Sequence, residues 1–335
     1  MIDGALAARA RGLTAQVISG DALAAIDAAP DGPALAEALA RAGVALAPGA
    51  GPDAIDRLAG DRAASDLAIL ARHDASGALA VVALDEDRRS LRAIVRGLAA
   101  GTPAERRLDG TLPTALLSAP VLAALAGAAT LADAAALLAH RRHPLAAALD
   151  VPRPAVKRSE QAGGEGGRAA LGIDPLEIEL RLTRQFAERA ARGPRDRAMR
   201  SYLAQLIDAE NAGAAVLLAS RGADLPAERA FLDAGVPGSR LDRARFLAAA
   251  AGPLDAACAV LAEALDGTPL ATAVFAPEPA ALEDAALTWQ LRTQARLRRR
   301  EPLGLAPALH AVLRRRDEAR HLRRAAWRVA LGGAA

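Results

Sequence analysis

The feature that most constrains this chain is that it repeats itself. Laying residues 85–149 over 208–274 puts Asp85 on Asp208, and each opens an apolar helical stretch, SLRAIVRGLAAG after the first and AGAAVLLASRG after the second. Farther along, Pro103-Ala104-Glu105-Arg106 meets Pro226-Ala227-Glu228-Arg229 at the same offset. One inserted residue later, Leu108-Asp109 and Pro113 meet Leu232-Asp233 and Pro237, and the copies close on Pro144-Leu145-Ala146 and Pro269-Leu270-Ala271. Biased composition yields chance Ala and Leu matches, but not ordered blocks that carry proline and charge. A repeat of this kind cannot bury its apolar face alone, so its fold has to be read as units packed on one another.

Composition says what the units are made of. Hydrophobic residues are 52% of the chain but aromatics only 2%, so alanine carries the apolar fraction. With Leu, Arg and Glu it supplies strong helix formers and leaves few β-branched or aromatic side chains to face a sheet. The expected class is all-α. Pro52, Pro175 and Pro279 each precede an acid in a helix-period stretch (Ile55-Asp56, Leu176-Glu177, Leu282-Glu283). Proline loses nothing in a first turn, and an acid there complements the helix dipole, so three helices start at these points.

A third unit is divided between the chain ends. Glu318-Ala319-Arg320-His321 parallels Asp208-Ala209-Glu210-Asn211, and the N-terminal stretch LTAQVISGDALAAI resembles TALLSAPVLAALAG with Ser19 opposite Ser118. The organisation expected is three pseudo-symmetric helical repeats closing into a funnel or ring. Repeat 1 spans 51–150 and repeat 2 spans 173–278; repeat 3 is split into 1–50 and 279–335. Residues 151–172, with Pro, Gly and charge in place of a helical pattern, read as a flexible linker. Closure leaves no repeat with an open apolar face.

Chemistry is harder to find. There is no GxxxxGK[ST], HExxH or GxSxG, and the GGEGG tract has neither a preceding strand nor a following Lys-Ser/Thr. No catalytic residue, cofactor or metal site is expected. His140 and His143 share a helix face, but two arginines between them point to a solvated helix end rather than a metal pair. Cys258, the single cysteine, sits in an apolar stretch and reads as core; alone it excludes an intrachain disulfide framework.

The net charge is only +3, and the pI near 9.9 reflects basic residues that are all arginine except Lys157. Arg298–Arg300, Arg314–Arg316 and Arg323–Arg324 have acids between them and few aromatics near, so they read as a solvated or partner-facing surface, not a nucleic-acid site. The N-terminus shows no signal-peptide pattern. Residues 110–132 are uncharged and reach the roughly 20 residues of a membrane span, but Pro113, Pro120 and Gly127 break them into buried helices.

The most informative polar residues recur with the repeat. Asp208 and Asn211 are one helical turn apart on one face, as are Glu318 and His321 and, less well, Asp85 and Arg88. Asp85, Asp208, Asn211, Glu318 and His321 are therefore expected to be structural, fixing one helical hairpin against the next unit.

These segments resemble a known family. Residues 207–241, IDAENAGAAVLLASRGADLPAERAFLDAGVPGSRL, are similar to its Asp-x-x-Asn helix, polar turn and Val/Ile-Pro-Gly segment. PLGLAPALHAVLRRRDEARHLRRAAWRVALG looks like its closing helix with a Glu-x-x-Asn-Leu-Arg core, His321 standing where Asn is usual. With the threefold repeat, the chain resembles the C subunit of archaeal-type and bacterial V-type ATPases, equivalent to the d subunit of the vacuolar enzyme. The resemblance implies a funnel-shaped, non-catalytic rotor component, peripheral on the cytoplasmic face of the membrane. It would sit on the proteolipid ring, receive the foot of the central stalk, and couple proton or sodium transport to ATP chemistry without binding nucleotide or nucleic acid. The alternative is a helical-repeat interaction scaffold unrelated to ATPases.

Overall fold

The computed structural model describes residues 4–47, 49–150, 175–193, 196–221, 226–233, 235–276 and 279–332. The linker expected at 151–172 lies outside them. Among the described residues the chain forms sixteen α-helices, one 3-10 turn and no strand. The N-terminal group is α1 (Gly4–Ala15), α2 (Gly20–Asp27) and α3 (Gly32–Arg41). Two long helices follow, α4 (Pro52–Arg72) and α5 (Leu79–Ala99), then the 3-10 turn Arg106–Leu108 and the short α6 (Ala119–Ala126), α7 (Leu131–His140) and α8 (Ala146–Leu149). The order then recurs with long α9 (Pro175–Ala191) and α10 (Arg197–Arg221), and short α11 (Ala227–Ala230), α12 (Arg243–Ala251), α13 (Leu254–Ala264) and α14 (Leu270–Ala273). Long α15 (Pro279–Arg300) and α16 (Ala306–Gly332) end the described chain.

Local chemistry accounts for these boundaries. Pro52, Pro175 and Pro279 open α4, α9 and α15, as their missing N–H groups allow. Ser19 and Asp31 cap α2 and α3 by accepting from the N–H groups of Ala22 and Ala34, and Thr130 with Asp133 forms a capping box on α7. The uncharged run at 110–132 is broken where expected: α6 begins after Ser118 with Pro120 in its first turn and ends at Gly127. No described helix is long and apolar enough to cross a membrane.

The long helices pack in a succession that returns on itself: α4 on α5, α5 on α9, α9 on α10, α10 on α15, α15 on α16, and α16 on α4. Small side chains permit close approach, as at the buried Ala7, Ala10, Ala306 and Ala308. Gly97 is required where the 3-10 turn crosses α5, because a Cβ there would lie 2.7 Å from Arg107 Cγ.

Buried apolar residues fall into three clusters. The largest joins α5, α9 and α10 to the first half of α16, and the second fills the space between α10 and α12–α14. The third joins the two ends of the chain: Ile18, Leu23, Ile26, Leu35 and Leu39 of the N-terminal group meet Leu322, Ala325 and Ala326 of α16, with Ile55 and Ala59 of α4. Each large aliphatic side chain buried there contributes about 1.5–3 kcal/mol. Deleting residues 1–41 is expected to expose this stripe of α16 and give a protein that binds a hydrophobic dye and aggregates on size-exclusion chromatography. A monodisperse, dye-free product would show that the N-terminal group does not complete the core.

Candidate functional site

A cavity of about 940 Å³ lies between the six long helices, with α13 and the segment after α14 adding to its wall. Its most ordered feature is a charged network on α5. Arg88 is fully buried: Nε and Nη2 donate to Asp85 Oδ1 at 3.0 and 2.8 Å, and Nη1 donates to Thr183 Oγ1 at 3.1 Å and Glu210 Oε1 at 2.9 Å. Its guanidinium lies 5.5 Å from the Phe186 ring centroid. Asp85 Oδ2 accepts from Tyr202 at 2.7 Å, Arg89 at 3.1 Å and Arg316 at 3.3 Å. One turn on, Arg92 bridges Glu179 (3.0 Å) and Glu210 (2.8 Å), and Arg96 binds Glu179 at 2.6 Å. Four helices, α5, α9, α10 and α16, are thus tied by charge-assisted bonds.

Asp85 and Glu210 stay ionised near neutral pH. Burial pushes the Asp85 carboxyl up, but the guanidiniums of Arg89, Arg88 and Arg316 outweigh it and hold the group well below the usual carboxylate range. Glu210 is likewise raised by burial, yet Arg88 and Arg92 bring it down to about 2. Neither carboxylate is poised to move protons near pH 7.

The other sequence-selected residues hold loops. Asp208 accepts from Ser239 Oγ at 2.5 Å and from the N–H groups of Arg240 and Leu241 at 3.0 and 3.1 Å, just before α12. Asn211 exchanges two bonds with the backbone of Leu232, at 2.9 and 3.2 Å. Glu318 Oε2 accepts from Ile18 N–H at 2.8 Å, just before α2, while Oε1 meets Arg62 and Arg315. His321 Nδ1 pairs with Asp27 at the end of α2.

Asp85 is the exception, because it serves the arginine network. On α5 the loop-holding bonds are made two residues farther on: Asp87 accepts from Thr114 Oγ1 at 2.5 Å, that hydroxyl accepts from Leu117 N–H at 3.0 Å, and Ser90 accepts from Leu112 N–H at 3.0 Å. Leu117, Leu241 and Ile18 are all buried and each immediately precedes a helix N-cap (Ser118, Asp242, Ser19). A carboxylate on α5, α10 or α16 thus holds the same kind of position three times, once through a hydroxyl. The three-residue spacing from Asp87 to Ser90, the same as from Asp208 to Asn211, was the signal available for that pair.

Two sequence expectations are corrected. His143 is buried rather than solvated: α7 ends at His140, Arg142 adopts a left-handed φ of 52°, and the chain turns His143 inward. Leu145 N–H donates to its Nδ1 at 3.2 Å, so Nε2 carries the proton and donates to Asp87 Oδ2 at 3.1 Å. Arg315 and Arg316 are not a solvated face either, because α16 is packed by α1–α4, α10 and α15. Arg315 binds Asp66 and Glu318 at 2.6 and 2.7 Å, and Arg316 pairs with Glu86. Cys258 is buried and donates to Val274 O at 3.0 Å; burial pushes its thiol up.

Two outcomes are expected. Asp208→Ala leaves the buried Leu241 N–H without its acceptor, at about 1–3 kcal/mol, and removes the bonds to Ser239 and Arg240, so it should lower the melting temperature; an unchanged melt would refute the loop-holding role. His310 on α16 is buried, its Nδ1 has no partner, and burial with the nearby Arg298 and Arg314 lowers it to about 4 from its ordinary 6.5. The unfolded chain therefore takes up that proton first as pH falls. Stability from this group is complete above about pH 6.5 and is lost toward pH 4, on the order of 2 kcal/mol after solvent screening. His310→Leu should flatten the melting temperature over that window relative to the parent, and parallel profiles would contradict the assignment.

The sequence matches known proteins. The family model described as ATP synthase (C/AC39) subunit matches residues 42–334. Two curated proteins, each named as the C subunit of a V-type ATP synthase and coming from two strains of Thermus thermophilus, are 33% identical over 270 residues, covering 80% of this chain and 74% of the relative. These matches exclude a scaffold unrelated to ATPases, and the chain belongs to the ATP synthase (C/AC39) subunit family.

Proposed function

We propose that this chain is the non-catalytic C subunit of a V/A-type rotary ATP synthase, joining the central stalk to the membrane proteolipid ring during proton or sodium transport. The observation that carries the reading is the cavity of about 940 Å³ between the long helices of a chain in this family. In this reading the cavity is the socket for the foot of the stalk, and the opposite side of the protein rests on the ring. The protein is peripheral on the cytoplasmic face. Its work is mechanical: it binds neither nucleotide nor nucleic acid and passes torque between two rotors.

The same proposal divides the chain into repeats at 51–150 and 173–278, a linker at 151–172, and a split repeat of 279–335 with 1–50, closing into a funnel. The helix order supports it: a long pair followed by short helices occurs at α4–α8 and at α9–α14, and α16, the second helix of the long pair α15–α16, packs on the short α2 and α3. Under this division Asp85 and Glu318 are inter-repeat positions, since Asp85 reaches Tyr202 and Arg316, and Glu318 reaches Arg62. The bonds of Asp208, Asn211 and His321 to Leu241, Leu232 and Asp27 fall within single repeats.

Removal of this chain from the purified complex should leave ATP hydrolysis by the catalytic head while ATP-driven ion uptake into vesicles falls to background. Adding the chain back should restore uptake. Uptake that survives its removal would refute the coupling role.

A further inference from the structure

The cavity wall is chemically divided. In the succession of long helices, α16, α4 and α5 are consecutive, and this arc is basic: nine arginines face the cavity in all against six carboxylates, and every one of the nine is on α5 or α16. Their acids come from several helices: Asp85 and Glu86 from α5 itself, Glu179 and Glu210 from α9 and α10, and Glu283 and Asp284, which pair with Arg320 and Arg324, from α15. Asp85 and Glu86 are buried, whereas the side chains of Arg96 and Arg324 are 58% and 55% exposed. Arg89 spends only Nε, on Asp85, leaving its terminal nitrogens with no partner among the described residues. Burial lowers Arg320 from its ordinary value, and the neighbouring Arg324 and Arg89 add to that, although Asp284 and Glu283 oppose it.

The remaining arc, α9, α10 and α15 with α13 and the segment after α14, carries no arginine; it combines apolar side chains with Glu179, Glu210, Asp255 and Glu283, of which Glu179 and Glu210 are already engaged by Arg88, Arg92 and Arg96. It presents Leu176, Leu217, Leu254, Phe275 and Leu282 to the cavity. Phe275 is 59% exposed and Leu254 41%, two of the five exposed large hydrophobics among the described residues. Scattered apolar exposure is ordinary, but exposure gathered on one wall of one cavity marks a binding face.

We infer that the cavity seats an acidic amphipathic segment in a single orientation, its carboxylates toward the arginines of α5 and α16 and its apolar side toward Phe275 and Leu254. This rests on the socket reading and adds the chemistry of the occupant. A wholly apolar occupant would strip water from guanidinium donors without replacing it, and a basic one would add to a cation excess. An amphipathic segment satisfies both arcs, and only one rotation about its axis does so.

Two synthetic helical peptides of about 18 residues, sharing one Leu/Phe stripe but carrying Glu or Lys on the other face, test this by fluorescence anisotropy with the full chain. The acidic peptide should bind at least about tenfold tighter, and its affinity should fall as salt rises from about 0.1 M to about 1 M. Phe275→Asp and Arg324→Glu should each weaken it about tenfold. Arg299→Glu, on the exposed end of α15 outside the cavity, should not. Equal binding of both peptides, or acidic-peptide binding that ignores both wall substitutions, overturns the inference. The complex's own stalk proteins separate the two claims. If the parent chain and both wall variants retain the stalk equally, the oriented seat is wrong and the assignment to the rotor stands. If the parent does not retain it, the socket reading fails, whatever the peptides do.

Discussion

The structure depends on the burial of a charged face of α5. Asp85, Arg88, Arg92 and their partners occupy the position where an ordinary helix would present leucine, and removing such charges from water costs several kcal/mol per ion. The cost is offset only because Thr183, Tyr202, Glu179, Glu210 and Arg316 arrive from three other helices with matching geometry. That requirement makes the network a weak source of net stability and a strong source of specificity. If α9, α10 or α16 shifted by one turn, a buried guanidinium or carboxylate would lose its partner, which is far more costly than a shifted alanine contact. The alanine-rich interfaces of this chain are permissive about register, and the polar network removes that freedom.

The same charges bear on why a space remains between the long helices. An apolar gap of that size would close, because each ångström of approach recovers dispersion and buries surface. A wall of partly hydrated arginines resists closure, since drying it leaves donors unpaired. Carboxylates of α5, α9, α10 and α15 pair with those side chains, so the wall is preorganised without a ligand.

Much of this was legible in the sequence, for identifiable reasons. Helix class followed from the scarcity of aromatics, and the helix starts at Pro52, Pro175 and Pro279 followed from backbone chemistry that acts within one turn. Asp208, Asn211, Glu318 and His321 stood out through their spacing, and each holds a neighbouring segment, although under the proposed division the bonds of Asp208, Asn211 and His321 stay within one repeat. The failures concern what periodicity does not encode, namely which helix lies against which. Asp85 and Asp87 differ by two residues and so lie on different faces of α5; one meets α10 and α16, the other the loop before α6. The repeat alignment finds Asp85, whose bonds run to α10 and α16, but not Asp87, which holds the loop. Arg315 and Arg316 looked solvated because nothing local announces that α16 is enclosed, and His143 looked solvated because its inward turn depends on a left-handed Arg142.

On the proposed reading the protein is a mechanical part that must also resist rotation of its occupant, and backbone geometry alone is poorly suited to that. A socket built from similar helical units offers a foot several nearly equivalent azimuths, separated by little energy. The side chains remove the equivalence: arginines are confined to α5 and α16, while Phe275 and Leu254 lie on the other arc. Rotating an amphipathic foot out of register would place carboxylates against leucine and phenylalanine and leave guanidiniums against methyl groups, so each displaced pair opposes the slip. On the proposed reading, the chemical asymmetry of the wall is therefore the element that converts a roughly symmetric helical enclosure into one able to carry torque.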